Sequence, residues 1–241
     1  MATPPAEAVI AAAGLVALDY HESVSSTMDV AHSHALAGAP SGTAVLASRQ
    51  EQGRGRGGRT WQSEPDAGLW FTLLERPTDV RALDVLSLRI GLGLAEALAP
   101  LVDGAVQLKW PNDLYVGDRK LAGILIEARW RDGRPEWAAI GVGINRRVPV
   151  QFQQAAHVRE DISRDDLLIM VARAMRAAAQ CRGPLSDAER TAWDARDLAR
   201  DRVVSAPVAG VVCGISSTGA VLIRDERDVV HEVNSGSLVF A

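Results

Sequence analysis

The chain has 241 residues, 47% of them hydrophobic, a formal net charge of −4 and an isoelectric point near 5.8. That length holds one large domain, or a medium domain with a small appendage, and the hydrophobic share is enough for a core. The acidic balance excludes a general nucleic-acid or membrane-surface binder, the N-terminal segment lacks the basic start of a signal peptide, and no apolar run approaches the roughly eighteen residues of a membrane span. Cys181 and Cys213 are far apart and match no metal or redox spacing, so a reduced, cytoplasmic setting is expected.

In chain order, residues 15–20 form a candidate strand. Ser25-Ser26-Thr27-Met28-Asp29 supplies N-cap residues for an alanine-rich helix to about Ala37, which Gly38-Ala39-Pro40 stops. Residues 43–47 and 69–74 read as strands. Residues 83–98 carry apolar side chains at helical spacing, with Gly91 and Gly93 allowing close packing. Further strands are expected at 106–108, 120–128 and 137–142, and amphipathic helices at 165–180 and 186–199. From about Asp201 the character changes to short valine-rich strands separated by Gly/Ser turns, a small all-β module. There is no internal repeat. The expected fold class is α/β (α+β), a mixed sheet with helices over residues 1–199 and a small β module over 200–241.

Residues 53–59, Gly-Arg-Gly-Arg-Gly-Gly-Arg, suit neither a helix nor a strand. Alternating Gly and Arg presents backbone N–H groups and guanidiniums around a concavity, a receptor for phosphate or acyl-phosphate. A dinucleotide fingerprint fits poorly because no long helix follows. Walker A fails because no Lys-Ser/Thr follows, and a single copy in an acidic chain does not suit an RGG-type RNA binder. Without ligand, a glycine-rich loop with three like charges is expected to be mobile.

Of the 26 basic residues only Lys109 and Lys120 are lysines, and both flank one motif: Lys109-Trp110-Pro111-Asn112-Asp113, then Arg119-Lys120-Leu121-Ala122-Gly123-Ile124-Leu125. Lysine is a compact point charge on a flexible stem, able to follow a moving oxygen. Pro111 fixes a turn from which Asn112 and Asp113 project, and Asp113 suits either Mg²⁺ or a partner cation, or an Asx-turn. Lys120 opens an apolar run expected to be a strand buried on both faces, with the lysine at the rim of the core. Gly123, Gly141 and Gly143 leave a slot that side chains do not fill, wide enough for a flat ligand.

Together these blocks resemble the biotin–protein ligases, from Ser25 to Asn145 and more weakly through the β tail. The resemblance implies a catalytic domain of the class II synthetase/biotin-ligase type followed by an SH3-like barrel. It implies activation of biotin by ATP as biotinyl-5′-adenylate, then transfer to a lysine of a biotin carboxyl carrier domain. By position it assigns Ser26, Thr27 and Gln50 to the biotin ureido ring, and Gly53, Arg54 and Arg56 to the loop closing over biotin and adenylate. It assigns Arg59 and Trp61 to the far end of that loop, and Lys120 to the bridge between biotin carboxylate and α-phosphate. Lys109, Asn112, Asp113 and Asn145 fall to the nucleotide side, with Asp113 a Mg²⁺ contact, and Gly123, Leu125, Gly141 and Gly143 to the slot walls. Lys120, Arg54 and Arg56 are the expected catalytic charges.

Two departures stand out: Met28 occupies a place where the family commonly has Asn, and Gln52 is a possible substitute for Gln50. About twenty residues precede the first block, fewer than a helix-turn-helix domain needs, so the monofunctional class without DNA binding is expected. Monomer and homodimer are both compatible. All five histidines are expected to be structural or solvated; His32 and His34 face different ways on their helix. The alternatives are a lipoate or octanoate ligase or transferase of the same fold, and a non-catalytic biotin or nucleotide sensor.

Overall fold

The computed structural model describes residues 3–148 and 155–241. In chain order the elements are α1 (Glu7–Ala12), β1 (Ala17–Val24), α2 (Thr27–Leu36), β2 (Thr43–Gln50), β3 (Gly68–Glu75), α3 (Val80–Asp84), α4 (Leu86–Leu98), β4 (Val106–Lys109), β5 (Asp113–Val116), β6 (Arg119–Arg131), β7 (Arg134–Asn145), α5 (Arg164–Gln180), α6 (Asp187–Asp194), and then β8 (Val203–Ala206), β9 (Gly210–Ile215), β10 (Val221–Arg224), β11 (Val230–Val233) and β12 (Val239–Phe240).

The first seven strands form one mixed sheet in the order β1-β2-β3-β7-β6-β5-β4. β1 and β2 run parallel and the remaining neighbours antiparallel. Strand alternation divides its faces. Ala44 and Leu46 of β2, Ala122 and Ile124 of β6, and Ile140, Val142 and Ile144 of β7 pack in one large core with α4 and α5. The opposite face is covered by α2, through Met28, Ala31 and Ala35 against Val45, Ala139, Leu74 and Trp137. Ser26 caps α2 by accepting from the Met28 N–H.

The apolar run opening β6 is therefore not buried on both faces by packing, as the sequence suggested. Ala122 and Ile124 enter the core, whereas Gly123 and Leu125 point to the α2 side and line a cavity. The expected helix over 83–98 is broken at Val85 into α3 and α4. That over 186–199 stops at Asp194, because the following segment runs beside β4: Leu108 and Leu198 N–H groups donate to Arg196 O and Leu108 O, both at 2.8 Å.

β8–β12 form a separate five-stranded antiparallel sheet, in the order β11-β10-β9-β8-β12, that answers the expected SH3-like module. It is docked rather than tethered. Val204, Val212, Ile215, Val221, Ile223 and Leu238 belong to the same buried cluster as the large sheet, and the Trp110 indole N–H donates to Gly219 O at 2.9 Å.

Candidate active site

The glycine-arginine segment is a flap folded back on itself. Trp61 N–H donates to Gly53 O and Gly55 N–H to Arg59 O, each at 2.8 Å, and a single 3₁₀ turn, Arg56–Gly58, makes the tip. Gly57 there has φ of 64°, a left-handed conformation that glycine adopts without strain. At the base of the flap Gln52 N–H donates to Ser25 O at 2.8 Å.

Under the flap lies a cavity of about 390 Å³. Its floor is the glycine slot: Gly123 pairs with Gly143, and Leu125 with Gly141, across β6 and β7. Trp61 and Met28 border the slot closely. A Cβ on Gly143 would collide with the Trp61 indole, one on Gly123 would lie 2.9 Å from the same ring, and one on Gly141 would lie 2.8 Å from the Met28 Sδ. Among the described residues Trp61 Nε1 is buried without a hydrogen-bond partner, an orphan donor that a polar ligand atom would satisfy.

One end of the cavity is uncharged. Gln50 Oε1 accepts from the Thr27 backbone N–H at 3.0 Å and from its hydroxyl at 3.1 Å, and Gln50 Nε2 donates to Ser63 Oγ at 2.8 Å. Thr27 Oγ1 also lies 2.7 Å from Thr72 Oγ1. Ser26, Met28 and Phe71 complete this end. Gln50 lines this cavity and Gln52 lies at the outer side of the flap.

The other end is cationic. Lys109, Lys120, Arg56 and Arg59 line it together with Asp113, the one lining carboxylate among the described residues, whose Oδ1 is 2.7 Å from Lys120 Nζ. The Lys120 ammonium sits 5.0 Å from the Trp61 ring centre. Burial, opposed by Asp113 and aided by Lys120, Arg202 and Arg59, holds the Lys109 pKa below its usual value. Burial, opposed by Asp113 and aided by Arg59, does the same for Arg56. Burial and then Asp113 push Tyr115 up. Crowded, partly desolvated cations of this kind are stabilised by an anion placed among them.

The turn that carries Asn112 and Asp113 contains a cis Trp110–Pro111 bond. It is fastened to β6, because Asn112 Nδ2 donates to Ile124 O at 2.7 Å and Ile124 N–H donates to Asn112 O at 2.9 Å. Asn112 Oδ1 accepts from Arg56 Nη1 at 3.4 Å, so this turn also holds the flap tip.

Three expected residues sit elsewhere than expected. Asn145 does not line the cavity; its Nδ2 donates to Lys120 O at 3.2 Å and Ala156 O at 3.0 Å, bracing the strand behind the lysine. Gly53 is outside it too, pressed against Trp61 O and Ser63 Oγ so closely that a side chain would not fit. Arg54 borders the cavity, but its guanidinium reaches outward to Asp29 and Glu127.

Thr72, Tyr115 and the β module also contribute to the site, and none of them is marked for it in the sequence. Ser237, Leu238 and Val239 line the cationic end, Arg59 Nη2 donates to Ser237 Oγ at 3.0 Å, and Phe240 lies between Lys109 (4.9 Å) and Arg202 (3.6 Å). No local pattern marks these residues, since only docking of the second sheet brings them to the site.

A profile of the biotin/lipoate A/B protein ligase family matches residues 20–145, and the chain belongs to that family. It is 36% identical over 208 residues to the bifunctional ligase/repressor BirA of Escherichia coli, covering 77% of this chain and 63% of that protein. It is 38% identical over 109 residues to the biotin--[acetyl-CoA-carboxylase] ligase of Mycobacterium tuberculosis, 43% of this chain and 39% of that one. The chain thus spans less than two thirds of the length of these curated relatives. Among solved structures, the biotin protein ligase of Aquifex aeolicus in complex with biotin and ATP superposes with a TM-score of 0.75 at 26% identity, covering 94% of this chain and 99% of that one. The Leishmania major biotin protein ligase in complex with biotinyl-5-AMP gives 0.63 at 25% identity, covering 90% and 98%.

Proposed function

We propose that this chain is an ATP-dependent biotin–protein ligase. The biotin carboxylate oxygen attacks the α-phosphorus of ATP, the bond to the β-phosphate oxygen breaks and pyrophosphate leaves. The amine of a carrier-domain lysine then attacks the acyl carbon, losing a proton as the amide forms, and AMP leaves. The observation that carries this reading is the polarity of the cavity. A neutral end with amide and hydroxyl partners adjoins an end with four cations, of which Lys120 lies beside Gly123 of the slot floor.

Two anions must be held in line, so the main task is to cancel their repulsion with positioned charge. Lys120, Arg56, Arg59 and Lys109 supply it, and Gln50, Thr27 and Ser26 suit a ureido ring. The mixed anhydride is easily hydrolysed, and the flap, with Trp61 on its trailing leg, is the water-excluding cover. Mg²⁺ would come with the triphosphate and screen its charge. Among the described residues no cluster of three His, Cys, Asp or Glu is placed to hold a metal, and Asp113 is paired with Lys120, so these side chains do not make a metal cradle and we assign no step to one. Among the described residues no helix is long and apolar enough to cross a membrane. A cytoplasmic setting suits the two free cysteines.

Pyrophosphate release with ATP and biotin, lipoate or octanoate tests this. Biotin-dependent release is expected; release driven by lipoate or octanoate and not by biotin would move the assignment to the neighbouring acyl ligases, and no release with any acid would favour a sensor.

A further inference from the structure

We propose that Glu127, aimed by His32 and Trp137, forms with Asp29 the anchor for the leading leg of the flap, and that Arg54 is the residue they hold. Arg54 lies in that leg, bridged to Thr60 in the trailing leg. Its Nη2 is 2.8 Å from Asp29 Oδ1 and 3.4 Å from Glu127 Oε2. The same Glu127 oxygen lies 2.9 Å from His32 Nε2, and His32 Nδ1 lies 2.9 Å from Trp137 Nε1. An indole N–H can only donate, so His32 Nδ1 is the acceptor and the imidazole proton sits on Nε2, directed at Glu127.

Trp137 is buried in β7 against Ala35 and Leu74. A chain of fixed groups thus runs from β7 through α2 to β6 and ends on the carboxylate that receives Arg54. An ordinary surface ion pair contributes little, because two long side chains must be ordered to make it. Here Glu127 is already ordered. Asp29 and Glu127 line a second cavity on the outer side of the flap and stand apart from the slot floor, so they act as positioning residues rather than ligand contacts.

The anchor is tested in the protein without ligand, by hydrogen exchange at the Gly55 and Trp61 amides that close the flap. Arg54→Met, Glu127→Gln and His32→Phe should each raise that exchange roughly 3- to 10-fold, with exchange in the β6 and β7 core unchanged. The double variant Arg54→Met/Glu127→Gln should exchange no faster than the faster single variant, and Arg54→Lys should recover part of the protection. Wild-type flap exchange in Glu127→Gln, or fully additive effects in the double variant, would overturn the anchor. Should His32→Phe destabilise the whole chain, Glu127→Gln decides, since it keeps the volume and can still accept from His32.

The consequence for catalysis rests on the ligase reading: with biotin and ATP the Glu127→Gln and His32→Phe variants should lose the activated biotin roughly 3- to 10-fold faster while forming it at the wild-type rate. Faster loss alongside wild-type formation supports the anchor; formation and loss both at wild-type rates would overturn its role in retention. If no protein, wild type included, forms activated biotin, the ligase reading fails and the flap exchange still judges the anchor.

Discussion

The Lys120 ammonium lies 2.7 Å from the Asp113 carboxylate and 5.0 Å from the centre of the Trp61 ring, beside Gly123 on the cavity floor. Asp113 aims the lysine. A carboxylate and an α-phosphate arriving together would compete with it for the same charge.

Lys120 should therefore matter more for activation than for binding. Lys120→Ala is expected to lower adenylate formation by at least roughly 100-fold, on the order of 3 kcal/mol, with a much smaller change in biotin affinity. Lys120→Arg should also be poor, because the planar fork cannot occupy the ammonium's place between Asp113 and Trp61. Single-turnover adenylation beside titration calorimetry separates the two effects. Near-wild-type adenylation by either variant would shift the role to Lys109.

Arg56 ties the flap tip to Asn112 and Gly236. Arg56→Gly removes those ties and adds a glycine to an already glycine-rich tip, so closing it costs more entropy. Adenylation should persist in part while the adenylate escapes about tenfold faster. Biotin labelling of an unrelated lysine-rich protein, compared at equal adenylation rates, reads the escape; labelling equal to wild type would remove Arg56 from the closure.

The slot glycines should differ in cost. A methyl on Gly143 meets the Trp61 indole, a rigid ring, whereas one on Gly141 meets the thioether of Met28, which can swing aside. Gly143→Ala is expected to weaken biotin binding at least about tenfold and Gly141→Ala by less than about threefold. Equal losses by calorimetry would mean that Trp61 does not shape the slot.

Much of this was legible in the chain and part was not. The N-cap at Ser26, the alanine-rich α2 and the alternating β7 carry local signals, so these elements appear where spacing put them. β5 was missed because Pro111, Asn112 and Asp113 read as a turn, and that turn passes directly into a strand pinned to β6. α1 was missed in a segment whose alanines carry no periodicity. The basic and glycine residues of the site were visible as types. Which way they face was not: Arg54 and Arg56 are two positions apart in one motif, yet one reaches outward to Asp29 and the other inward toward Asn112. Asn145, likewise, could be placed near the site by sequence, but only the fold shows it bracing Lys120 from behind.

Asp197 makes stability depend on pH in the joint between the two sheets. Burial raises its pKa to about 6, opposed by the Ala199 N–H and reinforced by Asp194. A folded-state pKa above the unfolded value means that the folded protein holds the proton more tightly. The contribution is full below about 3.8 and lost as pH rises through about 6. Asp197→Asn should therefore gain stability over wild type by an amount that grows between those values, to on the order of 2–3 kcal/mol at neutral pH. Urea melts of both proteins across this range check it; a pH-independent difference would contradict it.

Biotin transfer by this protein is tested most directly by intact-mass measurement of a biotin carboxyl carrier domain incubated with the protein, biotin and ATP. One biotinyl addition on a single lysine is expected, dependent on both ATP and biotin and lost with Lys120→Ala. Pyrophosphate release without any addition to the carrier, or an addition that does not require ATP, would contradict it.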